Sequence, residues 1–222
     1  MSGKFFQIAG WCGGMGLVFL LLTSFCLGGQ GVEGMDTGTL ITEAVQLQKQ
    51  LDQDPGNYKT MQSLGIVYHY LAVRDSKTYV FKAFEILEKA SRINPEDNLV
   101  LCCLGNVYSL MAKDAGNPLT RMDYLTKGIE RMDKAVRKEP DHILIRMIRA
   151  NNAKSLPRFL NRRTIAFEDL EYLVGLIDKG HSFPLELKVS IYGQLAVLYQ
   201  EDGNTIKAKK YHNLSHTLKQ EN

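Results

Sequence analysis

The stretch NYKTMQSLGIVYHYLAVRDSKTYVFKAFEILEKASRINP, residues 57–95, decides how the chain is read. Leu64, Gly65 and Tyr68 mark one helix; Ala83, Leu87 and Ala90, running into Asn94-Pro95, mark a second. The pattern returns as Leu104, Gly105 and Tyr108, then Gly128, Met132 and Ala135 running into Glu139-Pro140. Twelve residues separate Ala83 from Pro95, and again Gly128 from Pro140. A further copy reads Tyr192, Leu195, Ala196, Tyr199, Gly203 and Ala208. A helix pair recurring at fixed spacing is the signature of a repeat array, in which neighbouring units complete one another's core.

These residues resemble the tetratricopeptide repeat over roughly residues 40–219. The resemblance implies an all-α fold of antiparallel helix pairs stacked as a superhelical solenoid, with small residues where paired helices cross. Family spacing puts nine residues between the Tyr of the first helix and the small residue of the second. Tyr199 to Ala208 keeps it, whereas Tyr68 to Ala83 is fifteen and Tyr108 to Gly128 is twenty, which predicts enlarged turns around residues 74–77 and 115–118. The expected organisation is a joint over residues 33–38 and a helical domain over 39–222. That domain holds about four pairs behind a single helix that Thr39 caps and that closes the open end.

The third unit departs from the pattern. Ala150 takes the small crossing position, which sets Arg146 and Arg149 where apolar side chains normally pack. A buried guanidinium is costly without a partner. Either the helix is rotated or the arginines pair with carboxylates, Glu168 and Asp169 being the candidates. Ser155-Leu156-Pro157 then ends the helix early.

Before the array, residues 5–32 carry no charge, Lys4 stands just ahead of them, and their most apolar part is Gly16-Leu17-Val18-Phe19-Leu20-Leu21-Leu22. A charged start followed by an apolar run reads as an export signal or a transmembrane anchor. It places the helical domain on the non-cytoplasmic side, membrane-associated or exported. The net charge of +3, from 27 basic and 24 acidic side chains, is too balanced to argue for nucleic acid. Cys102 and Cys103 adjoin in a helix and cannot bridge well, so free thiols are expected, one in the core and one facing outward.

In this family the first helices of the pairs line a concave groove. Carried onto this chain, that gives Lys59, Gln62, Ile66 and His69 from the first unit and Leu99, Cys102, Asn106 and Ser109 from the second. Leu144, Met147, Asn151 and Lys154 come from the third, and Val197 and Gln200 from the fourth. The mixed amide and apolar lining suits an extended peptide or a helix of another protein of an envelope assembly. A second reading is a carrier enclosing an apolar small molecule near Ile66, Leu99, Leu144 and Met147. Asn106 stands where the family's carboxylate clamp has an Asn, but Ile66 occupies the corresponding place one unit earlier, so the clamp is incomplete.

A run of basic residues, Arg146, Arg149, Lys154, Arg158, Arg162 and Arg163, contains no acid and offers an anion-binding edge, with Arg158, Arg162 and Arg163 as its outer members. His212 and His216 lie four apart without a third metal ligand. No nucleophile elbow, phosphate loop or paired-carboxylate motif is present, so neither catalysis nor a cofactor is expected.

Overall fold

The computed structural model describes residues 34–220. Among them are nine α-helices and no strand: α1 (Thr37–Gln53), α2 (Tyr58–Arg74), α3 (Ser76–Ile93), α4 (Asn98–Asp114), α5 (Pro118–Lys138), α6 (Ile143–Ser155), α7 (Arg163–Asp178), α8 (Leu185–Glu201) and α9 (Thr205–Gln220), with a 3-10 turn at Arg158–Leu160 between α6 and α7. Four pairs, α2 with α3, α4 with α5, α6 with α7 and α8 with α9, follow the single helix α1, and each packs on the next. This is the all-α stack that the resemblance implies.

The repeat is visible in backbone hydrogen bonds. At the turns before α2, α4 and α6, the N–H groups of Asp54, Asn94 and Glu139 donate to the carbonyls of Gln50, Ala90 and Ala135 at 3.0, 2.9 and 2.9 Å. Three residues on, Asn57, Asp97 and His142 cap the next helix, accepting from the N–H of Thr60, Val100 and Ile145. An acceptor at each cap satisfies an amide that the first helical turn leaves open.

The extra residues of the first unit do not enlarge its turn. They lengthen α2 and α3 to 17 and 18 residues, and Asp75 alone connects them. It closes α2 by donating its N–H to the Leu71 carbonyl at 2.8 Å, and its carboxylate caps α3 on the N–H of Thr78. Continuing a helix satisfies each added amide internally, which a longer loop does not. In the second unit residues 115–117 do form a loop, and Asn117 caps α5 ahead of Pro118. Helix α1 begins at Thr37, inside the expected joint, because Asp36 rather than Thr39 is its cap.

The crossings use the expected small residues. A Cβ on Gly105 would lie 2.7 Å from the Gly128 carbonyl oxygen, and one on Gly128 would lie 2.5 Å from the Gly105 carbonyl oxygen, so α4 and α5 touch backbone to backbone. Two apolar clusters result. One runs from Leu40 to Ile148, the other from Met147 to Tyr211, and α6 contributes to both. Cys102 and Cys103 are both fully buried as free thiols, which corrects the expectation that one faces outward. The proposed signal or anchor, residues 1–32, lies outside the described residues. Among those described, no helix is long and apolar enough to cross a membrane.

Candidate functional site

The third unit is where apolar packing gives way to charge. Asp169, on α7, is fully buried, and its two oxygens accept from Arg146 Nη1, Arg149 Nε and Arg149 Nη2, each at 2.7 Å. Arg149 also reaches Asp133 of α5 at 3.1 Å and Glu168 at 3.4 Å. Arg146 donates to the Pro140 carbonyl and stacks on Tyr172, 3.6 Å from the ring centroid. Burial holds the Asp169 carboxyl above its ordinary value, and the guanidinia of Arg149 and Arg146 oppose that shift. Of the two open alternatives, pairing is therefore the one realised, with Asp169 as the hub and Glu168 at its margin.

The same network consumes much of the basic edge. Arg162 pairs with Asp133 at 2.6 Å, and Arg163 pairs with Glu201 at 2.8 Å while donating to the Leu198 carbonyl. Lys154 donates to Gln194. Arg158 alone of the three outer members is exposed and makes no ion pair among the described residues. The neutralising carboxylates come from α5 and α8, far along the chain, where a local charge count cannot find them.

The groove candidates separate by burial. Ile66, His69 and Met147, expected to face the groove, are 4%, 1% and 1% exposed, because successive first helices pack tightly enough to enclose them. Gln62 is half-buried and donates to Asp97, which also accepts from the Tyr58 hydroxyl at 2.6 Å. Cys102 is buried, with its thiol against the Ile145 carbonyl. Leu99 and Leu144 are half-buried, while Lys59, Asn151, Val197 and Gln200 are exposed.

Asn106 and Ser109 are brought to one place. Asn152 Nδ2 donates to Asn106 Oδ1 at 2.8 Å, and Asn106 Nδ2 lies 2.8 Å from His69 Nε2, forming a buried ladder across α6, α4 and α2. Because Asn106 turns its amide N–H toward His69, Nε2 is the acceptor and the imidazole proton sits on Nδ1, which has no hydrogen-bond partner. Burial lowers the His69 pKa to about 4, keeping the ring neutral. Asn152, not its exposed neighbour Asn151, is the amide of the third unit that joins this ladder.

The ladder ends on a cavity of about 330 Å³. Its walls are Asn106, Ser109, Leu110, Ala112 and Lys113 of α4, Arg121 and Leu125 of α5, and Asn152 and Ser155 of α6, with Leu156 and Pro157 beyond. The cavity has a sequence cause. Helix α6 has 13 residues where α4 has 17, since Pro157 stops it, and the missing turn leaves the ends of α4 and α5 uncovered. Leu156 and Pro157, read from the sequence only as a helix stop, supply part of the wall. None of Ile66, Leu99, Leu144 and Met147, the residues of the carrier reading, lines it. His212 and His216 stack at 6.3 Å between ring centroids, and no group of metal-ligating side chains occurs among the described residues.

Compared with known proteins, the chain matches no family model and no curated sequence. Solved structures do match. The crystal structure of TTC0263, a thermophilic tetratricopeptide-repeat protein in Thermus thermophilus, is similar with a TM-score of 0.62 and 17% identity, covering 80% of this chain and 82% of that one. The crystal structure of MamA gives a TM-score of 0.54 at 15% identity over 84% and 96% of the two chains. A further MamA structure, MSR-1 C2, gives 0.50 at 16% over 91% and 98%. Likeness at this identity is likeness of fold, and the chain accordingly has the tetratricopeptide-repeat architecture.

Proposed function

We propose that the protein is a non-catalytic scaffold that binds a segment of another protein across its first helices, at the cavity between α4, α5 and α6. The observation that carries this reading is the shortened α6. It opens a concave, partly apolar site where the first helices α2, α4 and α6 otherwise pack against one another. Phe159, 78% exposed two residues beyond Pro157, and Leu119, 81% exposed at the start of α5, add apolar surface on the segments that border the cavity. In this reading residues 1–32 export or anchor the chain, so the partner is an envelope protein on the non-cytoplasmic side.

The test is affinity capture from gently solubilised membranes with the intact chain beside a Ser155→Trp variant. The indole replaces an exposed side chain at the cavity wall, so helicity should be unchanged. Capture of defined proteins should fall at least tenfold, and equal capture by both forms would remove the cavity from the account. Mass spectrometry of the protein's own N-terminus in the same experiment reads whether the first residues are removed.

A further inference from the structure

The walls of the cavity are not neutral. Lys113 and Arg121 both line it and no carboxylate does. Lys113 makes no ion pair or hydrogen bond among the described residues. Arg121 is held in place by one bond, from Nη2 to the Ala115 carbonyl at 2.8 Å, which leaves its other N–H groups unused. Asn152 is 6% exposed and spends its Nδ2 on Asn106, but its Oδ1 accepts nothing among the described residues. The cavity thus combines two exposed cations, an amide oxygen to which no protein group donates among the described residues, and apolar wall from Leu110, Leu125 and Leu156.

Each feature narrows the occupant. The cations call for an anion, and a guanidinium favours a planar carboxylate. The idle Oδ1 can accept from an N–H, which a peptide backbone supplies beside the carboxylate and an ionised fatty acid does not. About 330 Å³ is near the lower end of ligand pockets and too small for a helix some 10 Å across, so what enters is a side chain.

We propose that the cavity seats an acidic residue of an extended peptide flanked by aliphatic residues, its carboxylate between Lys113 and Arg121 and its stem against Leu110, Leu125 and Leu156. This rests on the scaffold reading and turns its partner segment from "peptide or helix" into an extended acidic one.

The test uses the full chain in lipid nanodiscs and a fluorescent, end-capped peptide, Gly-Ser-Leu-Glu-Leu-Ser-Gly, beside its Gln counterpart, read by anisotropy at low salt. The acidic peptide should bind about tenfold more tightly than the neutral one. Lys113→Glu should abolish that preference and Lys113→Arg should keep it. Equal binding of the two peptides, or binding of neither, overturns the proposal. Octanoate displacing the acidic peptide at a lower concentration than the unlabelled peptide itself also overturns it, in favour of a small-acid site. The scaffold reading fails separately. If Lys113→Glu captures the same membrane proteins as the unaltered chain, the acidic seat falls and the scaffold stands; if the unaltered chain captures nothing yet shows the Glu preference, the seat stands and the scaffold falls.

Discussion

The second and third units solve the same packing problem in opposite ways. In the second, α4 and α5 meet through Gly105 and Gly128, backbone against backbone, over an apolar core. In the third, α6 and α7 meet through two guanidinia closing on one fully buried carboxylate. Small residues let helices approach without desolvating charge, whereas an ion pair recovers its desolvation only if every donor is used. The regular unit needs only the right sizes at the right spacing. The irregular one needs particular partners, and it is also where the stack opens a cavity.

The largest effect should come from removing the hub of the charged unit. Asp169→Ala leaves Arg146 and Arg149 buried without their shared acceptor and should cost about 3–5 kcal/mol in urea titrations followed by circular dichroism. A loss below about 1 kcal/mol would mean that water or Asp133 takes over, and that the two units differ less than their geometry says. Replacing the three together, as Arg146→Met, Arg149→Leu and Asp169→Leu, should be close to neutral, because buried ion pairs rarely outdo apolar packing of similar volume. Severe destabilisation of that triple variant would show the network to be more than a substitute for apolar contact.

The apolar unit is broken next most severely. Gly105→Leu drives a side chain into the Gly128 carbonyl and should cost about 3 kcal/mol, at the upper end of overpacking. Gly65 offers the internal contrast. A Cβ there would meet the buried Leu87 side chain, Cδ2 at 2.7 Å and Cγ at 3.0 Å, rather than backbone, so Leu87 must shift but no main chain need move, and Gly65→Ala should cost less once its gain in helix propensity is counted. If Gly65→Ala proved as costly as Gly105→Leu, backbone contact would not be what sets the second unit apart.

The same contrast explains how much of the molecule is legible in its sequence. Spacing carries sizes, so Gly65, Gly105, Gly128 and the proline turns can be read directly. Spacing does not carry partners across the stack. Asp169 can be named as one of two local carboxylates near the arginines, but Asp133 and Glu201 lie on helices whose proximity only the fold supplies. The cavity is half legible. Asn106 and Ser109 follow from the first-helix pattern and Pro157 stops α6, yet the space above α4 and α5 depends on a turn of helix that is missing. Asn152 escapes because its exposed neighbour Asn151 occupies the position that the family spacing selects.

The smallest effect tests the link between the two kinds of unit, the ladder from His69 through Asn106 to Asn152. In the folded chain burial holds the His69 pKa at about 4, whereas an unfolded histidine titrates near 6.5. Between these values the unfolded state binds the proton and the folded state does not, so stability falls as pH falls through the window and is complete above it. From pH 7 to pH 5 the loss should be about 2 kcal/mol, on top of whatever the carboxylates contribute. His69→Gln presents an amide oxygen to Asn106 in place of Nε2 and has nothing to protonate, so the difference between the two stability curves should shrink steadily from pH 7 to pH 5. Parallel curves for the two forms would mean that the imidazole is reached by water or ionises in place, and that the ladder is not the sealed joint between the apolar and charged halves of the stack.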